Sequence, residues 1–162
     1  MTRLPSLGPR GEGWVAIQGI LLAATAVAGQ FGPSWADGTR VATSIIGAVL
    51  TAGGLTLAIK GTRDLRDALT PLPYPRTDAE LVETGVYALV RHPIYGGLVL
   101  TAAGWGLLTA SPAALVATAL LLGFFELKSR REEAWLERRF TGYGAYRART
   151  PRLIPWPGGG RD

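Results

Sequence analysis

The seven residues from Arg91 to Gly97 combine side chains and backbone features that suit the binding of an anion. They stand where a polar segment changes into an apolar helix. Pro93 favours a helix start there, because the N–H group that proline lacks would have no intrahelical partner in the first turn. The remaining N–H groups and the helix dipole favour a negative charge there. Arg91 and His92 add hydrogen-bond donors, and Gly96 and Gly97 leave room for a ligand near the backbone. The segment therefore predicts a site for a charged ligand.

Four apolar stretches accompany this segment and predict an all-α integral membrane protein with four transmembrane helices and a cytoplasmic helical tail. The first two contain no Asp, Glu, Lys or Arg over about 18–20 residues, the length needed to cross a bilayer. The last two are shorter and are joined closely enough for a tight helical hairpin. A soluble bundle is the alternative, but soluble helices normally carry a polar face. The predicted spans are residues 14–31, 41–59, 95–109 and 113–127.

The composition excludes several kinds of chemistry. The chain has no cysteine and one histidine, which excludes thiolate catalysis, disulfides and metal sites built from several cysteines or histidines, and no metal is predicted. Its 162 residues are expected to form one membrane domain, residues 1–162. No G-x-G-x-x-G motif follows a predicted strand, so the usual soluble dinucleotide-binding fold is ruled out.

The distribution of basic residues predicts the topology. Residues 60–91 carry five Lys or Arg and residues 128–152 carry eight, whereas the other two connections carry only Arg40. The positive-inside rule then places both termini and both basic segments in the cytoplasm. The preference for Arg, Ala and Gly suggests a bacterial source, and hence a multi-pass protein of the inner membrane. The basic tail is expected to contact anionic membrane lipids, and no nucleic acid partner is predicted.

Acidic and aromatic residues in and after the fourth stretch could complete the site. Glu132 and Glu133 supply negative charge, and Tyr143 and Tyr146 follow them along the chain. Glu126 is the one acidic residue inside an apolar stretch, where a carboxylate is costly. Either it belongs to the site, or it forms a salt bridge with the residue four positions later, Arg130.

The order and spacing of these motifs resembles the isoprenylcysteine carboxyl methyltransferase and phospholipid methyltransferase family. The likeness covers about residues 70–156. Its parts are LVxxGxYxxVRHPxYxG (81–97), the hairpin of two spans, EExxLxxxF (132–140), YxxY (143–146) and PRxxP (151–155). The resemblance implies a membrane enzyme that uses S-adenosylmethionine to methylate a lipophilic acceptor, with residues 70–156 as its cofactor-binding half.

The resemblance also implies roles for individual residues. The cofactor-binding set is Arg91, His92, Tyr95, Gly96, Gly97, Glu132, Glu133, Tyr143 and Tyr146. Arg91 and His92 suit the carboxylate of the cofactor, and Glu132 or Glu133 suits its ammonium or ribose hydroxyls. An aromatic ring, from Tyr143 or Tyr146, suits adenine or the sulfonium.

The catalytic candidates depend on the acceptor, which the sequence leaves open. Arg91 or Arg147 could align a carboxylate, which needs no base because it is already ionised at neutral pH. An amine acceptor, in a phospholipid or another lipid, would need a base, and Glu133 or His92 are the options.

Two further functions stay open. A membrane reductase of a sterol-like or isoprenoid lipid would bind NADPH and could use Arg147, Arg149 and Arg152 for its extra phosphate. A non-enzymatic membrane scaffold is the other alternative. The oligomeric state is not set by the sequence.

Overall fold

The computed structural model describes residues 5, 7–33, 35–65, 69–70, 72 and 80–154. Within these residues the chain forms five α-helices, one short 3-10 turn and no β-strand, which confirms the all-α prediction. The elements are α1 (Glu12–Ala28), α2 (Asp37–Leu65), the 3-10 turn Gly85–Ala88, α3 (Pro93–Leu108), α4 (Pro112–Arg139) and α5 (Tyr143–Arg149). Pro155 and Trp156, where the family-like pattern ends, lie outside the described residues.

Two of the described helices are long and apolar enough to cross a membrane. They are α2 from Gly38 onward, with a mean hydropathy of 1.8 in its most apolar window, and α4, with 1.4. The helices α1 and α3 have 17 and 16 residues, fewer than the roughly 20 that a bilayer requires. The structure therefore supports two candidate spans, from the predicted stretches 41–59 and 113–127, and the expectation of four spans is wrong for 14–31 and 95–109.

The short length of α3 follows from the chemistry at its two ends. Pro93 occupies its first turn, so the helix starts there. At the other end Ala110 has a φ of 52°, a left-handed conformation that ends the helix. The Ser111 side chain then caps α4 by accepting a hydrogen bond from the N–H of Ala114 at 3.1 Å. The tight hairpin between the third and fourth stretches is thereby confirmed, and it holds α3 beside α4.

Small residues let α2 and α3 pack backbone against backbone. A Cβ atom placed on Gly54 would lie 2.6 Å from the carbonyl oxygen of Gly97, and one placed on Gly47 would lie 2.9 Å from that of Gly104. Positions seven apart share one face of a helix, so these glycines form one seam on each partner. The seam holds the first turn of α3, and with it the charged segment before Pro93, against the end of α2.

An aromatic cluster connects α1 and α4 to the first turn of α3. The rings of Trp14 and Phe124 have centroids 5.6 Å apart, and Phe124 lies edge-on to the buried Phe125 at 5.6 Å. Phe125 in turn stacks on Tyr95 in the first turn of α3, with centroids 4.7 Å apart. The core between the helices therefore continues directly into the predicted site.

The α2–α3 seam predicts opposite outcomes for two neighbouring glycines. Gly54→Leu should lower the free energy of unfolding by about 1–3 kcal/mol, because the new side chain meets the α3 backbone. Gly53→Leu should leave it unchanged or raise it slightly, since a Cβ there meets nothing within 4 Å and glycine weakens a helix interior. Thermal unfolding in detergent, followed by circular dichroism, measures both. Equal losses in the two variants would contradict this packing.

Candidate functional site

The Arg91–His92 segment is held in place by the chain that follows α5. The N–H of Arg91 donates to the carbonyl of Pro151 at 2.9 Å, and the N–H of His92 donates to the carbonyl of Arg152 at 2.9 Å. The side chains of Arg91 and His92 are both buried. The tail thus closes over the start of α3 and brings residues from the two ends of the family-like pattern together.

The carboxylate of Glu133 is the centre of the buried charges. Its Oε1 atom accepts hydrogen bonds from Arg91 Nε at 2.9 Å and Arg152 Nε at 3.2 Å, and it lies 3.1 Å from His92 Nε2. Its Oε2 atom accepts a further bond from Arg152 Nη2 at 3.3 Å. Glu133 is only 2% exposed, so these donors supply the compensation that a buried carboxylate needs.

Arg152 connects this carboxylate to a second one on α4. Its Nη1 atom donates to Glu126, and its other nitrogens bind Glu133. Burial alone would lower the pKa of the Arg152 guanidinium, but the two carboxylates raise it above its ordinary value. Glu126 also binds Arg130 at 3.0 Å, which confirms the predicted salt bridge and adds a partner that the sequence did not indicate.

Two buried donors beside this network have no hydrogen-bond partner within the described part of the chain. One is Nη2 of Arg91, whose Nη1 donates to the carbonyls of Arg147, at 2.9 Å, and Thr150. The other is the hydroxyl of Tyr143, whose pKa is raised by burial. A buried donor left unsatisfied costs about 1–3 kcal/mol, so such atoms indicate a place for a ligand.

Both donors belong to residues that line one cavity of about 100 Å³, between the start of α3, the end of α4 and α5. Its polar wall contains Arg91, His92, Glu132 and Tyr143. Its apolar wall contains Leu81, Val82, Leu136 and Phe140. A cavity that combines a few converging polar groups with apolar walls is typical of small-molecule sites.

Glu132 is fixed at the polar wall from two sides. The hydroxyl of Tyr95 donates to its Oε2 atom at 2.8 Å, and Nδ1 of His92 lies 3.8 Å from the same atom. The rings of His92 and Tyr95 stack almost in parallel, with centroids 5.4 Å apart. One carboxylate of the pair therefore faces the cavity, while its neighbour Glu133 is enclosed in the ion network.

Tyr146 connects α5 to the 3-10 turn beside the cavity. Its hydroxyl donates to the carbonyl of Tyr87 at 2.7 Å, and the hydroxyl of Tyr87 donates to the carbonyl of Gly61 in α2 at 3.3 Å. Both tyrosines line the cavity, and burial raises the pKa of each above its ordinary value. The cavity is thus framed by α2, α3, α4 and α5 together.

The structure brings six of the predicted binding residues to this cavity. They are Arg91, His92, Tyr95, Glu132, Tyr143 and Tyr146. Their binding of a cofactor stays a prediction, but their convergence from segments far apart in the sequence is a property of the fold.

Gly96 and Gly97 lie against protein backbone, and their contact with a ligand stays a prediction. A Cβ atom on Gly96 would lie 2.3 Å from the carbonyl oxygen of Leu153, and one on Gly97 would lie 2.6 Å from that of Gly54. Protein backbone, from the tail and from α2, therefore lies directly beside each glycine. Both glycines serve close packing.

Arg147 and Glu133 also lie away from the cavity wall. The Arg147 side chain pairs with Glu137 at 2.5 Å and lines a separate polar groove of about 460 Å³. Glu133 lines the same groove. Arg147 contributes to the site through its carbonyl, which fixes Arg91, and Glu133 contributes by holding the donors around it.

Sequence reasoning underrated Arg152, which it considered only for the reductase alternative. A signal was present, because Glu126 and Glu133 are seven residues apart and therefore share one face of α4. Two carboxylates on one helix face, of which Glu133 is buried, indicate a cation between them. Arg152, in the Pro-Arg dipeptide of the last motif, is that cation.

Comparison with known proteins identifies the family to which the sequence pattern around this site belongs. A family model for phospholipid methyltransferase matches residues 42–142. The chain belongs to the phospholipid methyltransferase family. The matched region contains most of α2, all of α3 and α4, and both the Arg91 segment and the Glu132–Glu133 pair. The family resemblance inferred from the sequence motifs is confirmed.

Curated relatives of this family member carry names of two kinds. Over 80 residues it is 38% identical to a protein-S-isoprenylcysteine O-methyltransferase of Schizosaccharomyces pombe, a match that covers 48% of the chain and 34% of the relative. Over 126 residues it is 32% identical to a cobalt-zinc-cadmium resistance protein of Cupriavidus metallidurans, with 77% of the chain and 56% of the relative covered. Over 82 residues it is 37% identical to a nickel-cobalt-cadmium resistance protein of Alcaligenes xylosoxydans, with 49% and 38% covered.

The family member spans between about a third and just over half of the length of these relatives. Within the described residues, no group of three or more His, Cys, Asp or Glu side chains is arranged to hold a metal ion.

The ion network predicts a large difference between two glutamates of α4. Glu133→Gln should lower the free energy of unfolding by about 3–5 kcal/mol, because it leaves the buried Arg91 and Arg152 without their counter-charge. Glu137→Gln removes the partner of Arg147 in a more exposed pair, which should cost less than about 1 kcal/mol. Chemical unfolding in detergent measures both losses. A small loss for Glu133→Gln would show that the network does not stabilise the fold.

Proposed function

We propose that this protein transfers a methyl group from S-adenosylmethionine to a lipophilic acceptor in the membrane. The observation that carries the proposal is the pair of buried donors, Arg91 Nη2 and the Tyr143 hydroxyl, for which the described residues offer no acceptor. A ligand carboxylate at the polar wall would accept from both, and a charge-assisted bond to Arg is among the stronger ones. The family membership and the printed name of the fission-yeast relative support the same reaction class.

The residues of the cavity fit the parts of this cofactor. Arg91 and Tyr143 would hold its carboxylate, Glu132 would hold its ammonium or ribose hydroxyls, and the apolar wall with Leu136 and Phe140 suits adenine. Bound there, the cofactor would supply a methyl group already activated by its sulfonium. Glu133 is a positioning residue in this proposal, because donors of three side chains already surround its oxygens.

The chain's own groups favour a carboxylate as the acceptor. The two bases considered for an amine acceptor, Glu133 and His92, lie 3.1 Å apart and are bound to each other. A carboxylate needs no base, so the protein has only to align it, exclude water and balance its charge. N-methylation of a lipid amine is the alternative.

The reductase alternative loses its phosphate site. Arg147 binds Glu137, Arg149 binds Glu83, and Arg152 binds Glu133 and Glu126. Each of the three guanidiniums is therefore matched by carboxylates of the chain, and they are not grouped around one position that a phosphate could share.

We place the protein in the inner membrane of a bacterium, with both termini in the cytoplasm. Apolar side chains exposed on α2 and α4, such as Ile45, Val49 and Leu120, suit contact with lipid tails. The helix α3 packs along α2 and turns directly into α4. A lipid or lipid-modified acceptor would then reach the cavity from the side.

Calorimetric titration of the detergent-solubilised protein tests the cofactor. S-adenosylhomocysteine should bind and NADPH should not. Tyr143→Phe should weaken that binding about tenfold, because it removes one hydrogen bond to a charged group. It should leave thermal stability unchanged or higher, because the hydroxyl has no partner in the described protein. Tyr146→Phe is the matched control, since its hydroxyl is bonded to Tyr87 and its loss should lower stability.

Binding of NADPH alone would transfer the protein to the reductases, and binding of neither compound would contradict the proposal. The acceptor is tested by labelling bacterial membranes with radioactive methyl from S-adenosylmethionine. Label released as methanol by mild base would indicate a methyl ester. Label that resists base and remains on a lipid amine would favour N-methylation.

A further inference from the structure

Lys128 is a buried cation that the proposed reaction does not use. It lies on α4 one turn before Glu132 and is 1% exposed. Its Nζ atom lies 2.5 Å from the side-chain oxygen of Gln18, which belongs to α1. Burying an ammonium is costly even when it is hydrogen-bonded, so such a group indicates a specific requirement at that place.

The surroundings of Lys128 connect it to the cavity. Its Nζ atom lies 5.0 Å from the centre of the Tyr95 ring, within the range of a cation–π attraction. That ring stacks on His92 and on Phe125, and its hydroxyl donates to Glu132 at 2.8 Å. The ammonium therefore adjoins a side chain that contacts both His92 and Glu132 at the polar wall.

We propose that Lys128, anchored by Gln18, is a positioning residue that fixes the Tyr95 ring and through it Glu132 and His92. The inference rests on the proposed function, in which Glu132 and His92 belong to a cofactor site. It makes α1 a part of that site, although α1 lies outside residues 42–142, the region that the family model matches.

Packing of α1 on α4 alone does not require a charge at this position. The far end of the same helix pair is joined by a neutral hydrogen bond, from the Ser111 hydroxyl to the carbonyl of Ala28 at 2.7 Å. At the start of α1, the pair is held by the contact between Trp14 and Phe124. Two apolar side chains in place of Gln18 and Lys128 would pack the helices at a lower desolvation cost. The ammonium adds an attraction to the Tyr95 ring and an electrostatic interaction with Glu132, four residues further along α4.

The variant Lys128→Met tests the inference, because it keeps the length of the side chain and removes the charge. Its dissociation constant for S-adenosylhomocysteine should rise about five- to tenfold, as loss of a buried cation–π contact allows. Its melting temperature should not fall, since the costly burial of a charge is gone. Lys128→Gln, which can still bond to Gln18, should show the same loss of affinity and provides a second variant if the first does not fold.

A double-mutant cycle separates positioning from general packing. If Lys128 acts through the Tyr95 ring, Lys128→Met should have no further effect on affinity in a Tyr95→Leu background. The control is Ser111→Ala, which removes the hydrogen bond to Ala28 of α1 and the cap of α4, both away from the cavity. It should lower the melting temperature and leave the affinity unchanged.

Equal losses in the two Tyr95 backgrounds, or unchanged affinity in Lys128→Met and Lys128→Gln, would overturn the inference while normal binding by the unmodified protein upheld the proposed function. Absence of binding by the unmodified protein would overturn the proposed function, and the inference would fall with it.

Discussion

Glu133 places a buried carboxylate beyond the apolar part of α4, and donors from two other segments converge on it. Arg91 and His92 come from the segment before α3, and Arg152 comes from the tail. None of the charged groups could be buried without the others, because an uncompensated charge in the interior costs several kcal/mol. The position of the tail, the start of α3 and the orientation of the cavity wall are thus consequences of one electrostatic requirement.

That requirement gives the two adjacent glutamates different roles. The carboxylate of Glu133 is fully engaged by donors of the protein. Glu132 is held at the cavity wall by Tyr95 and remains able to contact a ligand there. The same division applies to the arginines. Arg91 uses three of its donor positions on protein atoms and keeps Nη2 for the cavity, while Arg152 is bound to carboxylates of α4. Binding groups are therefore supported by neighbours of the same chemical type.

Local sequence chemistry was sufficient to predict the all-α fold and the start of α3. Pro93 and Pro112 mark the starts of α3 and α4 because a proline suits the first turn of a helix. The roles of Gly96 and Gly97 could not be predicted, because a glycine that admits a ligand and a glycine that admits another backbone look identical in sequence. The spacing of Glu126 and Glu133 indicates a cation near both but does not identify it as Arg152, and the contact of Lys128 with Gln18 depends on tertiary packing.

The bonds from Arg91 and His92 to the carbonyls of Pro151 and Arg152 have a consequence for biosynthesis. The chain leaves the ribosome from its N-terminal end, so α2, α3 and α4 emerge before residues 151 and 152 do. Until residue 152 emerges, the N–H groups of Arg91 and His92 lack these acceptors, Glu133 lacks the guanidinium of Arg152, and the cavity has no closed wall. A copy truncated before the tail would therefore leave Arg91 and Glu133 exposed, two side chains that the tail helps to bury. Such exposure is a signal by which quality-control proteases could distinguish incomplete chains from complete ones.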